Sequence, residues 1–268
     1  MKKSIIFWCI SALFIIAGVI LFFTMGFNNG VDFVGGTQVE VMFNKTVTDS
    51  EYETIRSDIK TKLEKLGFNA DNGRMLKTVK IISGVRFTFT QNATAEQVKS
   101  IAAENMTISV NNIRAYKNDA VTLIWVLAIA WALIVVYTFA RNWKSEKIAS
   151  SVSLAAVMLH DILLMLSVNL LLGKLLNIQV NNEFLVAIAA TLGLSAVFNS
   201  IAVNSVKNNI CPCKRIVVIA IIGFIATITL AIFGFVPLAI QMAVGIIVTA
   251  YSALCLTGGL FTSLKKNK

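Results

Sequence analysis

The sequence predicts a membrane α-helical bundle of six transmembrane helices, together with one α+β domain outside the membrane. Of its 268 residues, 56% are hydrophobic and only 14% are charged, whereas soluble domains average about 25% charged residues. Six apolar windows reach the length of about 20 residues that a helix needs to cross the hydrocarbon core. One long polar stretch, 26–119, separates the first window from the other five.

These windows set the predicted domain boundaries. They lie at 5–25, 120–140, 148–172, 184–206, 216–235 and 238–264. The expected domains are a first transmembrane helix (1–25), an extracytoplasmic domain (26–119), transmembrane helices two to six (120–264) and a cytoplasmic tail (265–268). The first window resembles a signal peptide, but its apolar run exceeds the usual 7–15 or so residues and no clear small-x-small cleavage site follows. A retained anchor is therefore favoured.

Basic residues in the short loops predict the orientation. If six helices alternate, one side of the membrane receives Lys2, Lys3, Arg141, Lys144, Lys147, Lys207, Lys214, Arg215, Lys265, Lys266 and Lys268. By the positive-inside rule that side is the cytoplasm, so both termini are expected there. The polar stretch is nearly neutral, with 12 basic and 11 acidic residues. The net charge of +10 is thus a topology signal, and no nucleic-acid partner is expected.

The polar stretch contains four predicted strands and two predicted helices. Alternating apolar residues indicate strands at 37–43, 77–82, 85–90 and 107–113. Ser83-Gly84 is typical of a hairpin turn between the middle two strands. Capping boxes, Thr48-x-x-Glu51 and Thr94-x-x-Gln97, predict where the helices begin.

The resulting order, β-α-β-β-α-β, is that of a ferredoxin-like split βαβ sandwich. This region contains no histidine that would activate a serine. We therefore expect a binding surface and no enzyme activity.

Inside the apolar windows, His160-Asp161 is the most informative pair because ionisable groups are costly to bury in a membrane. Two interpretations stay open. The pair either packs helices together, with Asp161 kept neutral, or it takes part in a proton relay or conformational coupling.

The fourth window is the most polar. Thr191, Ser195 and Asn199 are spaced four residues apart on one face, and Asn204 lies elsewhere on the circumference. Uncharged groups of this kind usually join helices. Arg215 lies at the start of the fifth predicted helix, directly before the apolar window, where snorkelling to the interface explains its charge.

The four cysteines indicate neither a disulfide framework nor a cofactor. Cys9 and Cys255 lie in apolar windows, and Cys211-Pro212-Cys213 lies in a predicted cytoplasmic loop. With no second cysteine pair and the single histidine in a predicted span, no metal site is expected.

A glycine-rich stretch follows the first window and reads G-V-D-F-V-G-G-T at 30–37. By composition alone, a flexible linker explains it as well as a sharp, closely packed turn. Its residues resemble the G-x-D-F-x-G-G-T signature that follows the first transmembrane helix of SecF, a subunit of the SecDF protein-export complex. The signature residues are Gly30, Asp32, Gly35, Gly36 and Thr37.

Two further segments resemble SecF. Leu159-His160-Asp161 is similar to the family's A-L-x-H-D, and residues 244–252 are similar to its I-G-x-x-x-G-T-Y-S-S. Each segment is weak evidence singly, but their order and spacing make the resemblance strong along nearly the whole chain.

The resemblance fails in the fourth window. There the family carries two aspartates, which correspond to Phe198 and Asn204, and an arginine that corresponds to Ser205. Arg215 matches the arginine that usually partners a fourth-helix carboxylate. The resemblance implies that His160, Asp161, Asn199, Asn204 and Arg215 are the candidate coupling residues, and it places proton coupling by the usual route in doubt.

The resemblance also implies a location and partners. A SecF-like chain is expected in the bacterial plasma membrane, where it assists preproteins and pairs with SecD or a SecD-like chain at the SecY translocon. Two alternatives stay open: an uncoupled translocon scaffold or chaperone, and another RND-superfamily transporter of lipids or small molecules.

Overall fold

The computed structural model describes residues 2–68, 70, 73–78, 81–101, 105–115, 117–141, 147–176 and 178–266. The chain forms two compact units. One comprises Met1–Asn28 and Val121–Lys268, and the other comprises Asn29–Ala120. Lys144 and Lys268, which the orientation prediction uses, lie outside the described residues.

Helices account for the first unit. They are α1 (Lys2–Met25), α5 (Lys117–Arg141), α6 (Lys147–Leu175), α7 (Asn182–Lys207), α8 (Cys213–Ile232), α9 (Val236–Cys255) and α10 (Thr257–Lys266). The second unit contains α2 (Val31–Val34), β1 (Gly36–Val47), α3 (Asp49–Lys65), β2 (Arg74–Thr78), β3 (Ile81–Phe89), α4 (Ala95–Lys99) and β4 (Met106–Ile113).

Five stretches among the described residues are long and apolar enough to cross a membrane: Ile5–Met25, Ile148–Leu175, Asn182–Lys207, Cys213–Ile232 and Val236–Lys265. They correspond to five of the six predicted windows. The remaining window, 120–140, falls within α5, whose described apolar part is the shorter stretch Ala128–Ala140. The chain is therefore a mostly helical, multi-pass membrane protein with a small sheet.

The last predicted window, 238–264, corresponds to the single membrane-length stretch Val236–Lys265, with one local irregularity inside it. The helix is interrupted at Leu256, so that α9 ends at Cys255 and α10 begins at Thr257. The Thr257 hydroxyl donates to the Ser252 carbonyl, which already accepts the Leu256 N–H. A side chain that bonds into the helix ladder favours a local irregularity, and Gly258-Gly259 directly after it are weak helix formers.

The second unit is built on a four-stranded antiparallel sheet with the order β2-β3-β1-β4. Inward-facing residues alternate along β1 and β3, where Val39, Val41 and Phe87 are fully buried. On the other face, Glu40 and Arg86 are opposed on neighbouring strands and form an ion pair at 2.6 Å. This alternation is the period of two expected for a sheet with one buried face.

Both predicted capping boxes are present. Thr48 accepts the Glu51 N–H while the Glu51 carboxylate accepts the Thr48 N–H. The Thr48 N–H and hydroxyl, both bonded to this carboxylate, hold the pKa of Glu51 below its usual value. The same reciprocal bonds join Thr94 and Gln97 at the start of α4. The helices contribute Tyr52, Ile59, Leu63 and Val98 to the core under the sheet.

The predicted turn at Ser83-Gly84 was wrong, because β3 runs straight through these residues. Gly84 pairs with Met42 on one side and Leu76 on the other. A side chain at Gly84 would collide with the Val41 carbonyl oxygen, so the glycine marks a close approach of two strands. The connection between β2 and β3 at 79–80 lies outside the described residues.

Candidate functional site

The candidate site is centred on the carboxylate of Asp161, which is completely buried near the middle of α6. Three helices direct polar side chains at it, although all of them are apolar overall. Because lipid offers no hydrogen-bond partners, an apolar helix keeps such groups only where neighbouring helices satisfy them. The burial of Asp161 therefore depends on the polar residues of α7 and α9.

One carboxylate oxygen, Oδ2, accepts three hydrogen bonds. The Ser195 hydroxyl donates at 2.5 Å, the Ser252 hydroxyl at 2.9 Å and the Asn199 amide at 3.3 Å. Ser195 and Asn199 lie one turn apart on α7, and the amide of Asn199 also bonds to the Ser195 hydroxyl and carbonyl. These three donors offset the cost of burying the carboxylate at its Oδ2 atom.

A further hydrogen bond connects Asn199 to the point where α9 ends and α10 begins. The carbonyl oxygen of the Asn199 side chain accepts the Thr257 hydroxyl at 2.5 Å. Both Asn199 and Thr257 are fully buried. We call Asp161, Ser195, Asn199, Ser252 and Thr257 the polar cluster. It joins α6, α7, α9 and α10 through a continuous chain of hydrogen bonds.

His160 faces a different environment from the polar cluster. Its Nδ1 lies 3.2 Å from Oδ1 of Asp161, and its ring contacts the edge of Trp8 in α1 at a centroid distance of 5.0 Å. Its Nε2 is buried and has no hydrogen-bond partner among the described residues. His160 thus links the carboxylate to the packing of α1 against α6.

Two of the predicted site residues lie outside this cluster. Asn204 is exposed on α7, and Arg215 is exposed in the first turn of α8. No hydrogen bond or ion pair joins Arg215 to any residue that the structure describes. The structure brings His160, Asp161 and Asn199 together, and it places Asn204 and Arg215 elsewhere.

Phe198, which stands where the SecF pattern has an aspartate, is fully buried among apolar side chains. It packs with Ala202 of α7, Ile216 of α8 and Ala253 of α9. This aromatic ring fills the space beside the start of α8 with apolar atoms. A carboxylate at this position would replace apolar contacts with Ile216 and Ala253.

Three members of the cluster were not predicted from the sequence as site residues. Ser195 was interpreted only as one of the uncharged groups that join helices. Ser252 ends the segment at 244–252 that resembles SecF, so a signal for it was available. Thr257 had no such signal, because it comes into contact with Asn199 only when the helix is interrupted at Leu256. Helical periodicity across an unbroken helix assigns it to no polar face.

The glycine-rich signature forms a closely packed start to β1. Gly35 has a φ of +80°, and a Cβ there would lie 3.1 Å from the Ile113 carbonyl oxygen. A Cβ at Gly36 would collide with the Phe89 carbonyl oxygen. These contacts exclude the flexible-linker interpretation for Gly35 and Gly36.

The remaining signature residues surround this start. Thr37 is fully buried, donates to Asn112 at 3.2 Å and accepts the Ala93 N–H at 2.9 Å. It thereby joins β1 to β4 and to the segment before α4. Gly30 precedes the short helix α2, which contains the partly buried Asp32.

Among the described residues, no group of three or more histidine, cysteine or acidic side chains is placed to hold a metal ion. Cys211 and Cys213 are exposed beside each other at the start of α8. The chemistry available in the buried site is therefore that of one carboxylate, hydroxyl groups, an amide and an imidazole.

Comparison with known proteins finds similarity to SecF proteins. A family model described as the SecD/SecF GG motif matches residues 20–47. The protein translocase subunit SecF of Acidaminococcus fermentans is 22% identical over 218 residues, covering 80% of this chain and 72% of the relative. SecF of Thermodesulfovibrio yellowstonii is 24% identical over 301 residues, covering 99% of this chain and 94% of the relative. The match to SecF of Sebaldella termitidis, at 25% identity, covers 61% of that relative.

The crystal structure of SecDF from Thermus thermophilus, a translocon-associated membrane protein, covers the whole chain with a TM-score of 0.66 at 17% identity. SecDF in a super-membrane-facing form gives a TM-score of 0.61 at 18% identity. The chain spans 38% of each SecDF chain.

The fold is that of a SecDF-type multi-pass membrane protein. Together with the matched motif and the SecF relatives, it makes this chain a SecF-like protein.

Proposed function

We propose that this chain is an auxiliary subunit of bacterial protein translocation that pairs with SecD or a SecD-like chain at the SecY channel. The observation that carries the proposal is the SecDF fold, which matches the whole chain but only 38% of the SecDF chain. Six helices with one external domain would resemble one half of a twelve-helix SecDF unit. Preproteins leaving the channel are its proposed substrates, with no chemical reaction catalysed by this chain itself.

We further propose that six helices cross the plasma membrane, with both termini in the cytoplasm and residues 26–119 outside. The membrane bundle would then occupy 1–25 and 120–264, with a cytoplasmic tail at 265–268. The strand order β2-β3-β1-β4 and the β-α-β-β-α-β element order support a ferredoxin-like domain. The helix α5, at 25 residues, supports a sixth span.

The preferred mechanism is assistance without a proton path along the fourth transmembrane helix, α7. A proton path needs titratable groups, and the positions that resemble the family's carboxylates hold Phe198, which is packed in hydrocarbon, and the amide Asn204. The exposed guanidinium of Arg215 has no carboxylate beside it in the described part of the chain. Energy for movement would then come from the partner chain, or the unit would act as a passive scaffold.

One observation favours a second candidate, in which Asp161 carries protons. Two of its three Oδ2 donors are hydroxyl groups, and a hydroxyl can reverse from donor to acceptor when the carboxyl group gains a proton. The polar cluster would then rearrange at the interruption between α9 and α10. In this mechanism Asp161 is the proton-binding group, and His160 is its neighbour on the other oxygen.

Co-purification tests the proposed assembly. The tagged full chain, extracted from native membranes in a mild detergent, is expected to bring SecD or a SecD-like chain and SecY with it. Recovery of neither, together with unchanged export of secreted proteins after deletion of the gene, would contradict the translocation role. Transport of a lipid or small molecule lost in the same deletion would instead favour the RND-type alternative.

The Asp161→Asn variant separates the two mechanisms. A passive or partner-driven subunit is expected to retain export, because the amide keeps one oxygen for the Ser195 and Ser252 hydroxyls. A proton-carrying Asp161 predicts loss of export at normal protein level and normal complex assembly. Ser167→Ala is the matched control, since the Ser167 hydroxyl lies on the same helix and donates to the Leu163 carbonyl within it.

A further inference from the structure

Two cysteines flank a proline where the chain passes from α7 to α8. Cys211 and Cys213 are both exposed, whereas the other two cysteines lie within membrane-length stretches of α1 and α9. Free cysteines are among the most buried residues in proteins. An exposed pair, separated by one residue, is therefore more informative than either cysteine alone.

The connection is fixed by backbone hydrogen bonds on the side of α7. The Ile210 N–H donates to the Ser205 carbonyl, and the Asn209 N–H donates to the Val206 carbonyl. These two bonds form a Schellman motif, in which Asn209 occupies the left-handed region with a φ of +53°. The chain therefore leaves α7 in a defined direction directly before Cys211.

Pro212 fixes the spacing of the two cysteines on the side of α8. Its φ of −73° and ψ of −17° are those of a helical residue, and its carbonyl accepts the Ile216 N–H in the first turn of α8. Across one helical residue, the Cα atoms of Cys211 and Cys213 lie about 5.4 Å apart. Disulfide-bonded cysteines usually have Cα separations of about 4.4–6.8 Å. The backbone is therefore compatible with a bond between the two sulfur atoms.

The two cysteines also interact with each other. Hydrogen bonds from the Cys213 thiol and from its backbone N–H hold the pKa of the Cys211 thiol below its usual value. The thiolate is the form that attacks disulfides, and it is favoured at the N-terminus of a helix. Cys213 is the first residue of α8. An accessible cysteine of this kind beside a second cysteine is the usual arrangement in redox sensors.

We propose that Cys211 and Cys213 form a redox-active dithiol that reacts with low-molecular-weight disulfides. The Cys211 thiolate attacks one sulfur of the small disulfide, which forms a mixed disulfide and releases one thiolate to be protonated. Cys213 then attacks the Cys211 sulfur, and its proton passes to the second leaving thiolate. The two cysteines are oxidised to a disulfide, and the small disulfide is reduced to two thiols. The site does not depend on the proposed translocation role.

The internal disulfide is expected to be reversible. It would close a small ring across a single residue, and strained or exposed disulfides have the more oxidising potentials that are typical of labile, regulatory bonds. In the orientation proposed above, the connection faces the cytoplasm, where thiols are kept reduced. The dithiol is then the resting form, and the disulfide forms when the surrounding thiol pool becomes more oxidised.

Mass spectrometry of the full chain in detergent, treated with glutathione disulfide, tests the proposal. Cys9→Ser and Cys255→Ser are introduced first, so that only the exposed pair reacts. This chain is expected to lose two hydrogens and to retain no glutathione, and peptide analysis should locate the new bond between Cys211 and Cys213. Added dithiothreitol should restore the dithiol.

Single variants in the same background separate the two roles. Cys213→Ser keeps a hydroxyl donor beside Cys211 and should accumulate the mixed disulfide with one glutathione. Cys211→Ser removes the attacking group, so the remaining cysteine should react at least about five-fold more slowly, because its thiolate fraction is smaller.

A proline variant tests the contribution of the turn. Pro212→Gly keeps both thiols but gives the connection more conformational freedom, so the ratio of internal disulfide to dithiol at a fixed glutathione potential should fall at least about three-fold. Pro237→Gly, in the first turn of α9, is the matched control and should leave this ratio unchanged.

Three results would overturn the proposal. Two glutathione adducts on the chain with both cysteines, and no internal bond, would show that the thiols react independently. Equal reaction rates of Cys211→Ser and Cys213→Ser would remove the distinction between the attacking and the resolving cysteine. Absence of any reaction, in a mixture that oxidises a reference dithiol, would show that the pair is not redox-active.

Discussion

Two faces of the same helix, α7, hold opposite environments one residue apart. Asn199 belongs to the polar cluster around Asp161, whereas Phe198 packs against Ile216 and Ala253 in hydrocarbon. Both side chains are fully buried. The contrast shows that burial in this bundle does not by itself decide polarity. A buried polar group is kept where neighbouring helices supply partners, and the other face of the helix is filled with apolar atoms.

The largest effect is expected from placing a carboxylate on the apolar face. Phe198→Asp loses the packing of a buried aromatic ring, which costs about 3–5 kcal/mol, and adds a mid-helix aspartate, which costs about 2.5–3.5 kcal/mol on insertion scales. The variant is expected to accumulate poorly and to unfold far below the parent in a thermal melt in detergent.

Phe198→Leu is the control, because it changes volume without adding charge. Near-normal stability of Phe198→Asp, with export that gains a new dependence on pH, would show that this face of α7 also accommodates a polar group. It would mean that Arg215 reaches the new carboxylate and restores a coupled pair.

Removing the carboxylate from the polar face should have the next largest effect. Asp161→Leu leaves three donors without their acceptor, at about 1 kcal/mol each, so a loss of about 3 kcal/mol in unfolding free energy is expected. Asp161→Asn retains an oxygen and should lose clearly less. Reversible unfolding in mixed micelles measures both variants, and equal stability of Asp161→Leu and the parent would show that the cluster does not hold the helices together.

A smaller effect is expected at the interruption of the last helix. Thr257→Val keeps the shape but removes the hydroxyl that bonds to Asn199, and one such bond contributes about 1 kcal/mol. Combining it with Asn199→Leu should cost less than the sum of the two single changes, because each removes the same bond. Strict additivity would indicate that the two side chains do not interact. Thr262→Val is the control, because the Thr262 hydroxyl donates to the Gly258 carbonyl within its own helix.

The smallest effect is expected for Arg215. Because this side chain is exposed and pairs with no carboxylate among the described residues, Arg215→Gln should change unfolding free energy by less than about 0.5 kcal/mol. Export should also persist if α7 provides no proton path. Lys214→Gln, at the neighbouring position, is the matched control. Loss of export in Arg215→Gln alone, with normal protein level, would show that the guanidinium acts through a partner chain.

Local chemistry in the sequence was sufficient for much of the fold. The capping boxes at Thr48 and Thr94 were found at the predicted positions because they depend on groups three residues apart. Five apolar windows reappear as membrane-length helices for the same reason, since hydrophobic length is a property of the chain itself. The turn at Ser83-Gly84 was wrong because a glycine in a sheet also serves close strand contact, and only the neighbouring strands distinguish the two uses.

The sequence by itself determined that Asp161 would be expensive to bury and therefore informative, and that Phe198 cannot carry a proton. Only the tertiary structure decided which groups satisfy that carboxylate. Ser195 and Asn199 of α7 and Ser252 of α9 donate to it, and Thr257 of α10 bonds to Asn199, so the arrangement depends on how α7, α9 and α10 pack against α6. Hydropathy records the cost of burying a charge, whereas the compensation for that cost comes from residues distant in sequence, so it appears only when the helices are assembled.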